Sequence, residues 1–120
     1  MKTKSVKAKG RKLQNTVRDA LRDIYVNTTR VPKLKVDDIK SQTMGMPGED
    51  IVLSPKAQEV IPYSFECKNV EKLSIWKAIE QCEQNSNERI PVVVFKKNGK
   101  VPHITMSLDN FINLLLKERR

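Results

Sequence analysis

The sequence predicts an α/β domain in which helices flank a set of short strands, and three features predict it. Apolar residues recur at helical spacing near both ends of the chain. A β-branched run, Ile90 to Lys96, has the character of a strand covered on both faces. Asn98-Gly99 then ties that run to a further strand through a tight turn.

The elements follow in order. Residues 1–9 are basic, lack an apolar face and read as a flexible arm, which leaves residues 10–120 as a single domain. After Gly10, the spacing of Leu13, Val17, Ala20, Leu21, Ile24 and Tyr25 predicts a helix, ended by Asn27-Thr28-Thr29 and Pro32. Leu34, Val36 and Ile39 fit either a strand or a short helical turn. Pro47-Gly48 has the residue order of a type II turn and delivers the chain into a strand that begins near Asp50, runs through Ile51-Val52-Leu53 and is stopped by Ser54-Pro55. Lys56 to Ile61 is a connector without a clear pattern, and Tyr63 to Val70 is the next strand. Ser74 is the expected cap of a helix reaching about Gln84, with Ile75, Ala78, Ile79 and Cys82 on its buried stripe. Beyond the Ile90 run and its turn, Val101 to Met106 forms a strand, and Ser107 caps a last helix with Leu108, Phe111, Ile112 and Leu115 facing inward. The order is α-β-β-β-α-β-β-α.

With 120 residues and 38% apolar content, the chain is sized for one modest core, and its apolar runs are too short to span a bilayer. A cytoplasmic protein is expected, because no apolar stretch follows the basic N-terminus. Cys67 and Cys82 are the two cysteines, with neither a disulfide framework nor zinc-site spacing. The formal net charge is +9, concentrated at the two ends of the chain. Such an excess suits a polyanion, since neutralising phosphates releases counterions.

The segment that carries chemistry is Gly48-Glu49-Asp50-Ile51 followed by Phe65-Glu66-Cys67-Lys68. Residues two apart in a strand share a face, so Glu66 and Lys68 stand side by side, about 6 to 7 Å apart along the backbone. With Asp50 entering from the neighbouring strand, this set is suited to a hard divalent cation, which takes oxygen ligands and keeps several waters. Asp50, Glu66 and the backbone carbonyl of Cys67 are the expected ligands. Lys68 is placed to orient or deprotonate a water beside a phosphate.

These residues resemble the PD-(D/E)XK nuclease superfamily, and within it the archaeal-type Holliday junction resolvases and related small phage-encoded nucleases. Asp50 matches the aspartate of the motif, Glu66 its second acid and Lys68 its lysine, and the similarity continues into Ser74-Ile75-Trp76-Lys77-Ala78-Ile79-Glu80-Gln81. The resemblance implies a restriction-endonuclease-like core, a central mixed β-sheet flanked by helices. It also implies DNA phosphodiester hydrolysis with Mg²⁺ or Mn²⁺, a branched or junction substrate, and a homodimer. Such resolvases carry a glutamate on the first helix, four residues after a glycine; counted from Gly10, that position is Gln14. At about 100° per residue, Gln14 falls on the inward arc between Leu21 and Tyr25, whereas Asp19 and Asp23 face outward. Glu49 and Glu80 are the remaining acids that could replace the missing carboxylate.

The same wheel groups Arg11, Arg18 and Arg22 beside Gln14, and with Lys9 and Lys77 they are the candidate phosphate contacts. Trp76 is expected in the core or at a dimer interface, and His103, without a nucleophile or second histidine to pair with, is incidental. Other readings of the same residues are a nicking or restriction-like nuclease of this fold, and a non-catalytic DNA-binding protein, for which Gln14 is the best argument.

Overall fold

The computed structural model describes residues 3–119, with side chains from Ser5 onward. The first helix, α1, runs Thr3–Tyr25. It therefore starts well before Gly10, and the part of the expected flexible arm that falls within the described residues is helical. Residues 1–2 of that arm lie outside the described residues. The physical reason is propagation: once the docked half of a helix has overcome nucleation, lysine and alanine extend it readily without an apolar face. Gly10 is thus an interior residue, and its lack of a side chain has a use. A Cβ there would lie 3.1 Å from Cε of Met44, in the loop that precedes Asp50.

Strand β1, Ile39–Ser41, pairs antiparallel with β2, Ile51–Leu53, with Ile39 opposite Leu53. A single turn of 3-10 helix, Val36–Asp38, precedes β1. The connector after β2 is a short helix, α2, Pro55–Val60, whose start is written in the sequence. Ser54 Oγ accepts a hydrogen bond from Ala57 N at 3.1 Å, and Pro55 occupies the first turn, where no amide donor is needed. Strand β3, Tyr63–Asn69, runs parallel to β4, Ile90–Lys96, joined by helix α3, Ile75–Asn85. Strand β5, His103–Thr105, returns antiparallel to β4, and helix α4, Leu108–Glu118, closes the chain.

The structure is a mixed α/β domain with sheets flanked by helices, compatible with a restriction-endonuclease-like fold. The expected order recurs with α2 inserted. Hydrogen bonding divides the strands into a two-stranded sheet, β1-β2, and a mixed three-stranded sheet, β3-β4-β5. Leu13 of α1 packs on Cys67, Val92 and Val94, whereas Ala78 and Cys82 of α3 pack on Val93 from the opposite face. Ile39, Ile51, Leu53, Ala57 and Ile61 form a further core between α1 and the two-stranded sheet. Each fully buried aliphatic side chain contributes roughly 1.5–3 kcal/mol, so these clusters fix α1 and the start of β2 relative to β3.

Helix α4 departs from expectation. Leu108, Phe111, Ile112 and Leu115 do not face a core; they are 72%, 48%, 44% and 40% exposed, and no residue of the helix is buried. The heptad-like spacing establishes an apolar face without specifying what covers it. Trp76 on α3 is likewise outside the core, at 73% exposed. Among the described residues, no helix is long and apolar enough to cross a membrane.

Candidate active site

The two sheets part company at Asp50. Its backbone N–H still bonds to Phe65 O at 3.2 Å, joining the start of β2 to β3. Two residues further along β3, the Cys67 N–H is taken instead by the side chain: it donates to Asp50 Oδ2 at 2.6 Å. A carboxylate thus replaces the strand carbonyl that would continue the ladder, and the sheets diverge around it. Because the N–H and C=O of one strand residue leave from the same edge, the Cys67 carbonyl also opens into this fork.

Glu66 and Lys68 lie on the β3 face shared with Val93 and Phe95 of β4. Glu66 is 3% exposed; its Oε1 lies 3.5 Å from Lys68 Nζ, and its Oε2 is buried without a hydrogen-bond partner. Asp50 stands close enough to Glu66 to raise its carboxyl. Burial, followed by the nearby Asp50 charge, pushes Glu66 up to about 7, with Lys68 partly opposing. Asp50 is also raised, chiefly by burial, against the lowering effect of the Cys67 N–H and the Lys68 ammonium. Two acids this close resist ionising together, and a cation between them would relieve both.

Gln14 enters from α1, immediately beside the core residue Leu13. It is 5% exposed, its amide is among the groups that lower the Asp50 carboxyl, and its Oε1 is buried with no partner among the described residues. The structure therefore brings together Asp50, Glu66, Lys68, Gln14 and the edge of Cys67. Among the described residues no group of three or more His, Cys, Asp or Glu side chains surrounds a common point. At this fork the third side chain is an amide. The donor set nevertheless fits a hard cation: two carboxylates, one of them with an oxygen that lacks a partner, and the partnerless amide oxygen of Gln14. The Cys67 and Cys82 thiols are both pushed up by burial, Cys82 to about 11, which leaves them protonated and inert.

Neither substitute acid reaches the fork. Glu80 is exposed on α3, beside Trp76. Glu49 turns away from Asp50 and is held by the Arg89 guanidinium and by Ser64 Oγ, the latter at 3.0 Å. That pairing was not foreseeable from spacing, since Arg89 lies in a turn forty positions away. His103 is exposed, with Nδ1 at 2.9 Å from Val101 O.

The candidate phosphate contacts separate into two groups. Arg11 and Lys77 are exposed, Lys9 is partly exposed, and none of the three is in an ion pair among the described residues. Arg18 is tied to Asp19 at 2.8 Å and to Asn15 at 3.1 Å, and Arg22 Nε donates to Ile39 O at 3.0 Å. A groove of about 290 Å³ has Lys12, Thr16, Asn69, Lys96 and Lys100 among its lining residues. Its signal was the register that sets Lys96 opposite Asn69, which appears only once β3 and β4 are paired.

Residues 5–120 match the family described as phage putative PDDEXK endonuclease. The chain belongs to this family. The match spans every element that builds the fork, from α1 to α4. Membership of this endonuclease family supports a nuclease, and a nuclease implies DNA as its substrate. PDDEXK nucleases generally use divalent metals. No curated protein and no solved structure matches the chain.

Proposed function

We propose that this PDDEXK protein is a metal-dependent endodeoxyribonuclease whose active centre is the fork between β2 and β3. The observation that carries the reading is the pair of buried, partnerless oxygens, Glu66 Oε2 and Gln14 Oε1, beside the Asp50 carboxylate. Burying such atoms unpaired is costly, and native proteins reserve it for sites that receive an ion, a water or a substrate. Asp50, Glu66 and the Cys67 carbonyl would hold Mg²⁺ or Mn²⁺, with Gln14 adding a neutral oxygen.

When bound, the cation would supply Lewis-acid stabilisation of phosphate charge and a more acidic water. The chain's own residues do the rest. The Cys67 N–H fixes Asp50 and favours its ionised form. Lys68 has its Nζ 3.5 Å from Glu66 Oε1 and its side chain 29% exposed. There its ammonium can orient the attacking water or hold a phosphate oxygen. Lys9, Arg11, Lys77 and the Lys12–Lys96–Lys100 groove supply sequence-independent attraction for the DNA backbone.

We further propose branched DNA, such as a four-way junction, as the substrate, cut by a symmetric homodimer acting in the host cytoplasm. Resemblance to junction resolvases and the uncovered apolar face of α4 support this reading. A dimer would present two forks to two strands. Gln14 favours a second reading, a DNA-binding protein that no longer cuts.

The test is purified protein with Mg²⁺ or Mn²⁺ on junction, flap, duplex and single-stranded DNA. Paired nicks confined to the junction support the resolvase-like reading. Cutting of every duplex makes it a general nuclease of the family, and tight binding without cutting in either metal overturns catalysis. Asp50→Asn and Lys68→Ala are each expected to reduce cleavage by more than about 10³-fold while leaving affinity for DNA within a few fold.

A further inference from the structure

We infer that Glu49 and Arg89 form a positioning clamp that sets where the Asp50 carboxylate stands relative to Glu66. This rests on the fork being a metal-dependent nuclease centre. Glu49 immediately precedes Asp50, at the bend that leads into β2. While Asp50 reaches into the fork, Glu49 reaches across the first turn of β3. One of its oxygens accepts from Arg89 Nη2 and the other from Ser64 Oγ at 3.0 Å. Ser64 is 1% exposed and stands two residues before Glu66 on the same face of β3. The clamp is therefore anchored one strand repeat from the second acid.

Arg89 is built to reach this point. It follows Asn87 and Glu88, which take φ of 52° and 71°, left-handed values that are costly for residues with a side chain. Its Nη1 donates to Tyr63 O at 3.1 Å, and its side chain is only 9% exposed. The same turn region grips the Asp50 loop a second time, through Asn85 Nδ2 to Gly48 O at 3.4 Å. These contacts matter because the main chain holds the start of β2 to β3 weakly: the one described backbone bond there is Asp50 N–H to Phe65 O. The ion pair also removes a charge. The carboxylates of Glu49, Asp50 and Glu66 each raise the Cys82 thiol. Arg89 cancels the one that does not face the fork.

The test compares the full-length wild type with Arg89→Met, Arg89→Lys, Glu49→Gln and the exchange Glu49→Arg with Arg89→Glu. Three quantities are read: the thermal midpoint, Mn²⁺ affinity by calorimetry, and the cleavage rate at saturating Mn²⁺, well below each midpoint. Arg89→Met is expected to lower the saturating rate about 10- to 100-fold, the scale on which a small misplacement of catalytic groups acts. Arg89→Lys and the exchange are expected to recover part of that loss. If Arg89→Met fails to fold, Glu49→Gln, which keeps shape and hydrogen bonding, reports in its place with a loss of about 10-fold. A lowered thermal midpoint with an unchanged saturating rate would overturn the clamp as a positioning device. Loss of Mn²⁺ binding in Glu49→Gln as complete as in Asp50→Asn would overturn it too, by making Glu49 a ligand. A wild type that neither binds Mn²⁺ nor cuts would instead remove the nuclease reading on which the clamp rests.

Discussion

The fork at Asp50 and the helix α4 break the same rule of protein interiors in opposite directions. At the fork, polar atoms are buried without partners: Glu66 Oε2 and Gln14 Oε1. On α4, apolar side chains are exposed without cover, six large ones between Leu108 and Leu116 at 40% or more. A polar atom inside or an extended apolar face outside is the informative exception to burial statistics. Each inversion points to something the isolated chain lacks, and the two differ in what is lacking. Oxygen atoms in a closed fork call for a small cation. A helix with no buried residue calls for a macromolecular surface.

The sharpest way to break this comparison is to truncate one residue of each kind. Leu13→Ala removes a side chain 2% exposed that locks α1 onto β3 and β4. It is expected to cost about 2–5 kcal/mol by denaturant titration. Leu115→Ala, on α4, is expected to leave the stability of dilute protein within about 0.5 kcal/mol, the range of surface changes. Its effect should appear in sedimentation instead, as loss of the proposed dimer. A large stability loss for Leu115→Ala in dilute protein would mean that α4 is covered within its own chain.

The second test separates the fork from ordinary buried polarity by pH. Glu66 has an ordinary value of 4.5 and is raised to about 7 in the folded protein, by burial first and Asp50 second. The sign follows from linkage: the folded state binds the Glu66 proton more tightly than the unfolded chain does. The stability that this proton contributes is complete below about pH 4.5 and is lost as pH rises through about 7. Without metal, the protein should lose on the order of 2–3 kcal/mol between pH 4.5 and 8 from this group, read as a falling thermal midpoint. Excess Mg²⁺ or Mn²⁺ should restore the midpoint at pH 8 and have little effect at pH 5, where protons compete for the same oxygens. Equal stabilisation by metal at both pH values would place the ion elsewhere.

Much of the fork was legible because strand periodicity is local. Glu66 and Lys68 share a face by the alternation of any strand, and Gln14 points inward by the helical repeat that also buries Leu13. What stayed hidden depends on distant pairing. The Glu49–Arg89 contact spans forty positions and needs a left-handed turn at Asn87-Glu88 to exist. The basic groove needs Lys96 set opposite Asn69. Helix α2 was hidden for a different reason: Ser54-Pro55 ends a strand and starts a helix with the same two residues, and only the first half of that signal was used. The N-terminal arm was misjudged because an apolar face tells where a helix docks, whereas lysine and alanine tell only that it can continue.

The smallest expected effect bears on Gln14, where the sequence departs from the resolvase pattern. The side chain is already buried, and its amide acts on the Asp50 carboxyl. Gln14→Glu changes one amide into a carboxylate of nearly the same shape, so it alters charge with little repacking. Metal-free, a third acid beside two that already resist ionising should lower the thermal midpoint at pH 8. With metal, it should tighten Mn²⁺ binding about 10-fold, equivalent to about 1.4 kcal/mol, measured by calorimetry on protein without DNA. The two shifts must have opposite signs, because the same repulsion that destabilises the empty fork is what the cation neutralises. A variant that is weakened without metal yet gains no affinity for it would show that Gln14 Oε1 faces something other than the cation, such as an ordered water. The lone amide would then mark the limit of the ligand set at Asp50, Glu66 and the Cys67 carbonyl.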